Sequence, residues 1–187
     1  MSYHYAHNAV NRHDKFRYIM ENILKQSYDK KLAEDWATRF SKLTRDRIIQ
    51  CPYVAGALEF IQYFSGRYPL FVASATPIDE LNIILQKREL QHYFKGFYGA
   101  PASKKTMLEY ITNDEKVIPD DILYIGDSRE DYEVAKDVGC GFIGRKSQYD
   151  FNGLELGIFK NLSEIKSYIL KKLDNNGETD GLLDTTF

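Results

Sequence analysis

Cysteine is nearly absent from this chain: Cys51 and Cys140 are the two thiols in 187 residues. Two such distant thiols build neither a disulfide framework nor a metal-ligand spacing. Neither has a His paired with it in sequence, which argues against a catalytic thiol. Both lie in or beside apolar stretches, so packed, reduced thiols in a cytosolic setting are expected. Long apolar runs are lacking too, and none approaches the roughly 20 residues of a membrane helix. No charged-then-apolar leader opens the sequence. These two absences leave no expected membrane partner. Positive charge is not in excess: 25 Lys and Arg face 27 Asp and Glu, with a net charge of −2. A nucleic-acid partner is therefore not expected.

What is present is an ordinary globular balance, 43% hydrophobic and 28% charged. It suits a soluble protein of small-molecule metabolism, of one domain or one with a small appendage. The 14 tyrosines include Tyr18, Tyr63, Tyr110, Tyr132 and Tyr168, which fall in helical patterns. They read as amphipathic residues at the core's edge.

Residues 1–10 are weakly patterned. Phe16, Ile19, Met20, Ile23 and Leu24 lie on one face of a helix over 11–26. A second helix over 29–49 carries Leu32, Trp36, Phe40 and Leu43 on one side. A break at Ser27-Tyr28-Asp29 and a stop at Cys51-Pro52 make these an αα-hairpin. Beyond Pro52, helices alternate with short apolar strands. The helices fall at 54–64, 77–88, 103–112, 129–138 and 163–173. The strands fall at 70–73, 96–99, 122–125 and 140–144. Pro77 suits a first helical position, and Gly139 suits a helix C-cap. Such alternation predicts an α/β fold with a parallel sheet and right-handed crossovers. The polar, acidic segment 174–187 reads as a disordered tail.

Ligands of parallel sheets bind beyond the carboxyl ends of the strands. Three polar groups fall there. Ser74 closes the 70–73 strand and leads into a helix, where its hydroxyl and nearby backbone N–H groups, such as that of Ala75, suit a phosphate. Alternatively, Ser74 or Thr76 caps that helix. Gly126-Asp127-Ser128 closes the 122–125 strand and sets a carboxylate where Mg2+ could be held. Asp131 follows one turn later. The alternative makes Asp127 or Ser128 an N-cap and Asp131 a partner of the helix dipole, but leaves Gly126 without a reason. Lys104 enters a helix after Gly99-Ala-Pro-Ala-Ser. A first-turn lysine opposes the helix dipole, and its point charge suits a phosphate. A solvated surface lysine is the alternative, and Lys105 reads as a bystander.

The ordered set resembles the haloacid dehalogenase superfamily of phosphohydrolases, above all its phosphoglycolate-phosphatase-like members. The match rests on Phe71-Val-Ala-Ser-Ala-Thr-Pro77, Gly99-Ala-Pro-Ala-Ser-Lys104 and Gly126-Asp-Ser-Arg-Glu-Asp131. Asp137-Val-Gly-Cys-Gly-Phe-Ile-Gly144 resembles the segment that follows in the family. The resemblance implies a Rossmann-like parallel sheet over 51–173 and a partial α-helical cap over 1–50. It implies a Mg2+-dependent phosphatase of a small phosphorylated metabolite, working through an aspartyl-phosphate. Ser74 and Lys104 would be catalytic, and Ser74, Ala75 and Lys104 would hold phosphate. Asp127 and Asp131 would hold the metal, with Asp131 orienting its water shell or Lys104. Arg12, His13, Lys15 and Arg17 are cationic candidates for substrate contact, against a solvated helix face.

One departure stands out. The family's nucleophile lies in an Asp-x-Asp ending a central first strand, and no apolar strand here runs into that motif. Asp120-Asp121 precedes a strand, at the wrong end of the sheet. The resemblance therefore implies an open slot beside the strands at 70–73 and 122–125. Direct pairing of those two strands, residues 2–9, a partner chain or self-association could close it. The expectation is a piece whose first strand lies upstream of Met1, with negligible hydrolysis alone. A non-catalytic binding domain of the same fold is the alternative.

Overall fold

The computed structural model describes residues 12–147, 151 and 157–175. Expectations about residues 1–10 and most of the 174–187 tail lie outside them. The helical pair comes first: α1 (Arg12–Tyr18) and α2 (Lys30–Gln50). Where one helix over 11–26 was expected, α1 gives way to a π-helical turn, Ile19–Ile23. Its mark is the wide bond from Leu24 N–H to the Ile19 carbonyl, 2.8 Å. Asp29 caps α2, its carboxylate accepting from Leu32 N–H at 3.0 Å.

The hairpin buries less than its pattern promised. Met20 and Ala33 are fully packed, and Phe16 sits edge-on to Trp36 with ring centres 5.7 Å apart. Leu43, expected to face inward, is 69% exposed, and Leu32 and Phe40 are exposed as well. Two helices bury only the strip between them, so an apolar face wider than that strip stays in water.

The rest of the fold is α3 (Ala57–Ser65), β1 (Phe71–Pro77), α4 (Ile78–Lys87), β2 (Gly96–Ala100), α5 (Lys104–Glu115), β3 (Leu123–Gly126), α6 (Arg129–Val138), β4 (Gly141–Arg145), β5 (Ile158–Phe159) and α7 (Leu162–Asn175). Every strand pairing is parallel. The two-residue β5 has no counterpart in the sequence expectations, since two residues carry no periodicity. Pro77 ends β1 and precedes α4 rather than opening the helix. Gly139 ends α6 in the left-handed conformation, φ 92°, which costs a glycine little.

Helices cover both faces of the sheet. On one, Phe60 and Phe64 of α3 meet Ile165 and Ile169 of α7 against Ile143 of β4. On the other, Leu108 and Ile111 of α5 meet Ala135 of α6 and Phe142 of β4. Each of the buried Phe, Leu and Ile side chains contributes about 1.5–3 kcal/mol. Cys140 belongs to this second cluster, whereas Cys51 is exposed at the end of α2, where packing was expected. Arg88 bonds the Cys51 carbonyl at 2.9 Å, but the residue beyond the end of α2 stays in solvent.

The sheet itself is divided. β1 pairs with β2, and β3 pairs with β4, which pairs with β5. β1 and β3 are not bonded to each other, so their direct pairing is not realised. A cavity of about 420 Å3 lies between them.

Candidate functional site

The site is assembled at the carboxyl ends of β1 and β3. β1 leaves its register with β2 after Ala73, which pairs with Tyr98, and regains it at Pro77, which pairs with Ala100. Four residue steps on β1 thus match two on β2, so the Ser74–Thr76 segment bulges from the ladder. Within the bulge the Ser74 hydroxyl oxygen accepts from Thr76 N–H at 3.1 Å. No side chain caps α4. The helix-cap alternative for Ser74 and Thr76 is therefore not what the structure has. Ser74 is half-buried, and Ala75 is the exposed residue of the bulge.

β3 ends in Gly126, and the helix-cap alternative does hold for its neighbours. Ser128 caps α6 in a reciprocal capping box with Asp131. Asp131 is 3% exposed and both its oxygens are engaged. Oδ1 accepts from Lys104 Nζ and from the Tyr124 hydroxyl at 2.8 Å. Oδ2 accepts from the Ser128 hydroxyl at 2.7 Å and from the backbone N–H of Asp127 and Ser128, each at 3.2 Å. Gly126 follows from this packing. A Cβ there would lie 2.4 Å from Asp131 Cβ, so only glycine lets the strand end pass the carboxylate. The glycine once without a reason is explained without a metal.

Burial pushes the Asp131 carboxyl up, and Lys104, Ser128 and Tyr124 more than reverse it, so the net direction is down. Tyr124 moves the other way: burial and the neighbouring Asp131 charge raise its hydroxyl far above the usual range. The pair is fixed as carboxylate and neutral phenol. Lys104 stands at the first position of α5, after the Ser103 cap. Its Asp131 partner answers the dipole cost. Lys105 pairs with Asp137 on the surface at 2.5 Å, as a bystander would.

Asp127 is unlike Asp131. Its side chain is 43% exposed, and Oδ2 accepts from Arg145 Nη2 at 2.5 Å. Arg145 was not singled out from the sequence. The signal was available in the topology: Gly126 pairs with Gly144, so Asp127 and Arg145 are the next residues on adjacent strand ends.

Of the four cations near the start of α1, Arg12 and Lys15 turn toward the rest of the molecule. Arg12 donates to Glu80 Oε2 of α4 at 3.2 Å and lies over the Phe40 ring. Ser41 donates to the same Glu80 oxygen at 3.0 Å. Lys15 is half-buried. Its pKa is lowered by that burial, against the pull of Glu130 at the start of α6. The solvated-face alternative fits His13 and Arg17, which are exposed.

A magnesium ion fits this set through Asp127 alone. Mg2+ in phosphoryl-transfer sites uses one or two carboxylates, waters and substrate phosphate oxygens. Asp127 is an accessible carboxylate at a strand end. Asp131, expected as a second ligand, already accepts five hydrogen bonds and lies beneath Lys104. Among the described residues, no three His, Cys, Asp or Glu side chains cluster as a metal cage.

The parallel strands covered by helices on both faces define an α/β fold of the Rossmann-like kind. Residues 3–145 match the family model described as haloacid dehalogenase-like hydrolase, and the chain belongs to that family. No curated protein matches it. Among solved structures it is similar to β-phosphoglucomutase from Clostridium difficile, with TM-score 0.75 and 15% identity over 94% of this chain and 82% of that one. A predicted phosphoglycolate phosphatase from Haemophilus somnus 129PT gives TM-score 0.71 and 16% identity over 86% and 79%. A predicted phosphatase from Clostridium acetobutylicum gives 0.69 and 18% over 86% and 78%. At these identities the likeness is one of fold.

Proposed function

We propose that this chain holds the phosphate of a small phosphorylated metabolite and serves a Mg2+-dependent phosphatase reaction of the nucleophilic-aspartate kind. The observation that carries the reading is Lys104, fixed by Asp131 at the strand ends shared by Ser74 and Asp127. A lysine so held presents a point charge without having to be ordered on binding. Ser74 donates its hydroxyl, and the Ala75 N–H adds a second donor. Asp127, now paired with Arg145, would be the residue to hold Mg2+, and a bound ion would neutralise phosphate charge. Lys15, beside Glu130, is the candidate contact from the helical pair.

The covalent step needs a carboxylate acting as nucleophile. Asp131 is committed to Lys104 and Asp127 is assigned to the metal, and among the described residues no third carboxylate directly follows β1 or β3. Bound phosphate and little turnover are therefore expected of the chain alone. The reading places it among soluble metabolites in the cytosol. Among the described residues, no helix is long and apolar enough to cross a membrane.

The test is p-nitrophenyl phosphate hydrolysis with and without MgCl2, alongside the Asp127→Asn and Ser74→Ala variants. The expected rate is within severalfold of background in every case. Robust Mg2+-dependent turnover that Asp127→Asn abolishes would keep the family chemistry but contradict the inactive state. A second reading, a non-catalytic binding domain, is favoured by one observation: Asp127 is already neutralised by Arg145.

A further inference from the structure

We propose that Arg145 is the resident cation of Asp127: it occupies the carboxylate that a divalent ion needs, and so lowers the affinity of the site for that ion. The inference rests on the reading of Asp127 as the metal-holding residue. It goes beyond that reading, which calls for no arginine.

The arginine is held by its backbone and by its side chain. Lys146 N–H donates to the Phe159 carbonyl at 2.7 Å, which ties the end of β4 to β5. The Ser147 hydroxyl donates to the Asp127 carbonyl at 2.8 Å, which ties the residues after β4 to the end of β3. Between these two ties, Arg145 Nη1 donates to the Lys146 carbonyl at 3.0 Å. Nη2 donates to Asp127 Oδ2 at 2.5 Å. A side chain constrained in this way loses little further freedom in keeping the contact. The guanidinium stays charged in proteins, so no rise in pH releases the carboxylate.

The charge balance points the same way. Asp131 is answered by Lys104, and Asp127 by Arg145. A carboxylate with a fixed positive partner offers a second cation less than a bare one, because the first contact has to be given up. Arg145 must therefore leave Oδ2 before a divalent ion is held there by both oxygens, and it shares the charge when only one oxygen is used. The pair is not sealed from water, since both side chains keep part of their surface exposed. Ion pairs of that exposure are weak. The consequence is competition, not exclusion. By linkage, whatever Arg145 takes from the affinity of the ion, the ion takes from the Arg145 contact.

The test uses Mn2+, which shares the preference of Mg2+ for oxygen ligands. Free ion is read by electron paramagnetic resonance, so no turnover is needed. The full 187-residue chain and Arg145→Gln are titrated at pH 7.5, beside Lys146→Gln, which removes an equal charge from an exposed neighbour. Arg145→Gln should bind Mn2+ about three- to tenfold more tightly than the parent, and Lys146→Gln less than about twofold. Adding Asp127→Asn to Arg145→Gln should remove the gain. In the parent chain, saturating MgCl2 should shift the Arg145 Nε–H resonance, a readout that requires no variant to fold. Equal affinity in the parent and Arg145→Gln, lost from both with Asp127→Asn, overturns the proposal and leaves Asp127 as the metal residue. A gain matched by Lys146→Gln, or an Arg145 resonance unmoved with ion bound, also overturns it. Absence of Mn2+ binding by Arg145→Gln overturns both the proposal and the reading of Asp127 beneath it.

Discussion

Lys104 and Asp131 come from helices that follow different strands, 27 positions apart in sequence, and meet as an ion pair at the end of the sheet. The lysine keeps 20% of its side chain exposed and the carboxylate 4%. The charge that faces the site is thus anchored on one that does not. Removing Asp131 as Asn leaves a partly buried lysine without its counter-charge. That should cost on the order of 3 kcal/mol, read as a lower denaturant midpoint at unchanged slope.

Acid should act through the same carboxyl. Its pKa is lower in the folded chain than in the unfolded one, so the unfolded chain takes up the proton first. The stabilisation is complete above the ordinary carboxylate value of about 3.9 and is lost as pH falls through the lower folded value. Stability measured from pH 5 downward should therefore fall more steeply in the parent chain than in Asp131→Asn. Parallel curves would contradict this.

Two clasps hold the helical pair to the rest. Arg12 and Ser41 share the buried Glu80. Arg88 donates to the Ile48 carbonyl at 2.6 Å and the Cys51 carbonyl at 2.9 Å, satisfying the end of α2. Glu80→Ala should leave Arg12 stranded and cost roughly 2–3 kcal/mol. Limited trypsin digestion should then cut within α1 and α2 several times faster, with the α/β part remaining.

The thiols should separate cleanly. Burial, aided by Asp120, pushes the Cys140 thiol up to about 11, while Cys51 is exposed. At pH 8, a thiol reagent should modify Cys51 within minutes and Cys140 only after unfolding. Rapid loss of two thiols in buffer would contradict the packing described here.

Much of the fold was legible because its signals are local. Apolar strands bounded by Gly and Ser, and helices stopped at Cys51-Pro52 and Gly139, need no tertiary knowledge. The placement of three residue types was legible: Ser74 in the last part of β1, Asp127 just past β3 and Lys104 at the start of α5. What stayed hidden depends on partners. Asp131 looks like a metal ligand in Gly-Asp-Ser-x-x-Asp, and only packing shows five donors claiming it. Arg145 carries no motif, and only strand register sets it beside Asp127. The outward turn of Leu43 reflects how little two helices can cover, which periodicity does not report.

The central claim is that Lys104 and Ser74 form a phosphate site. Its most direct test is titration of the chain with inorganic phosphate in MgCl2, followed by 31P line broadening and by calorimetry. Saturable binding is predicted, weakened about tenfold or more in Lys104→Ala and severalfold in Ser74→Ala, with both variants shown folded by circular dichroism. Phosphate binding that is absent, or unchanged in both folded variants, would contradict the account.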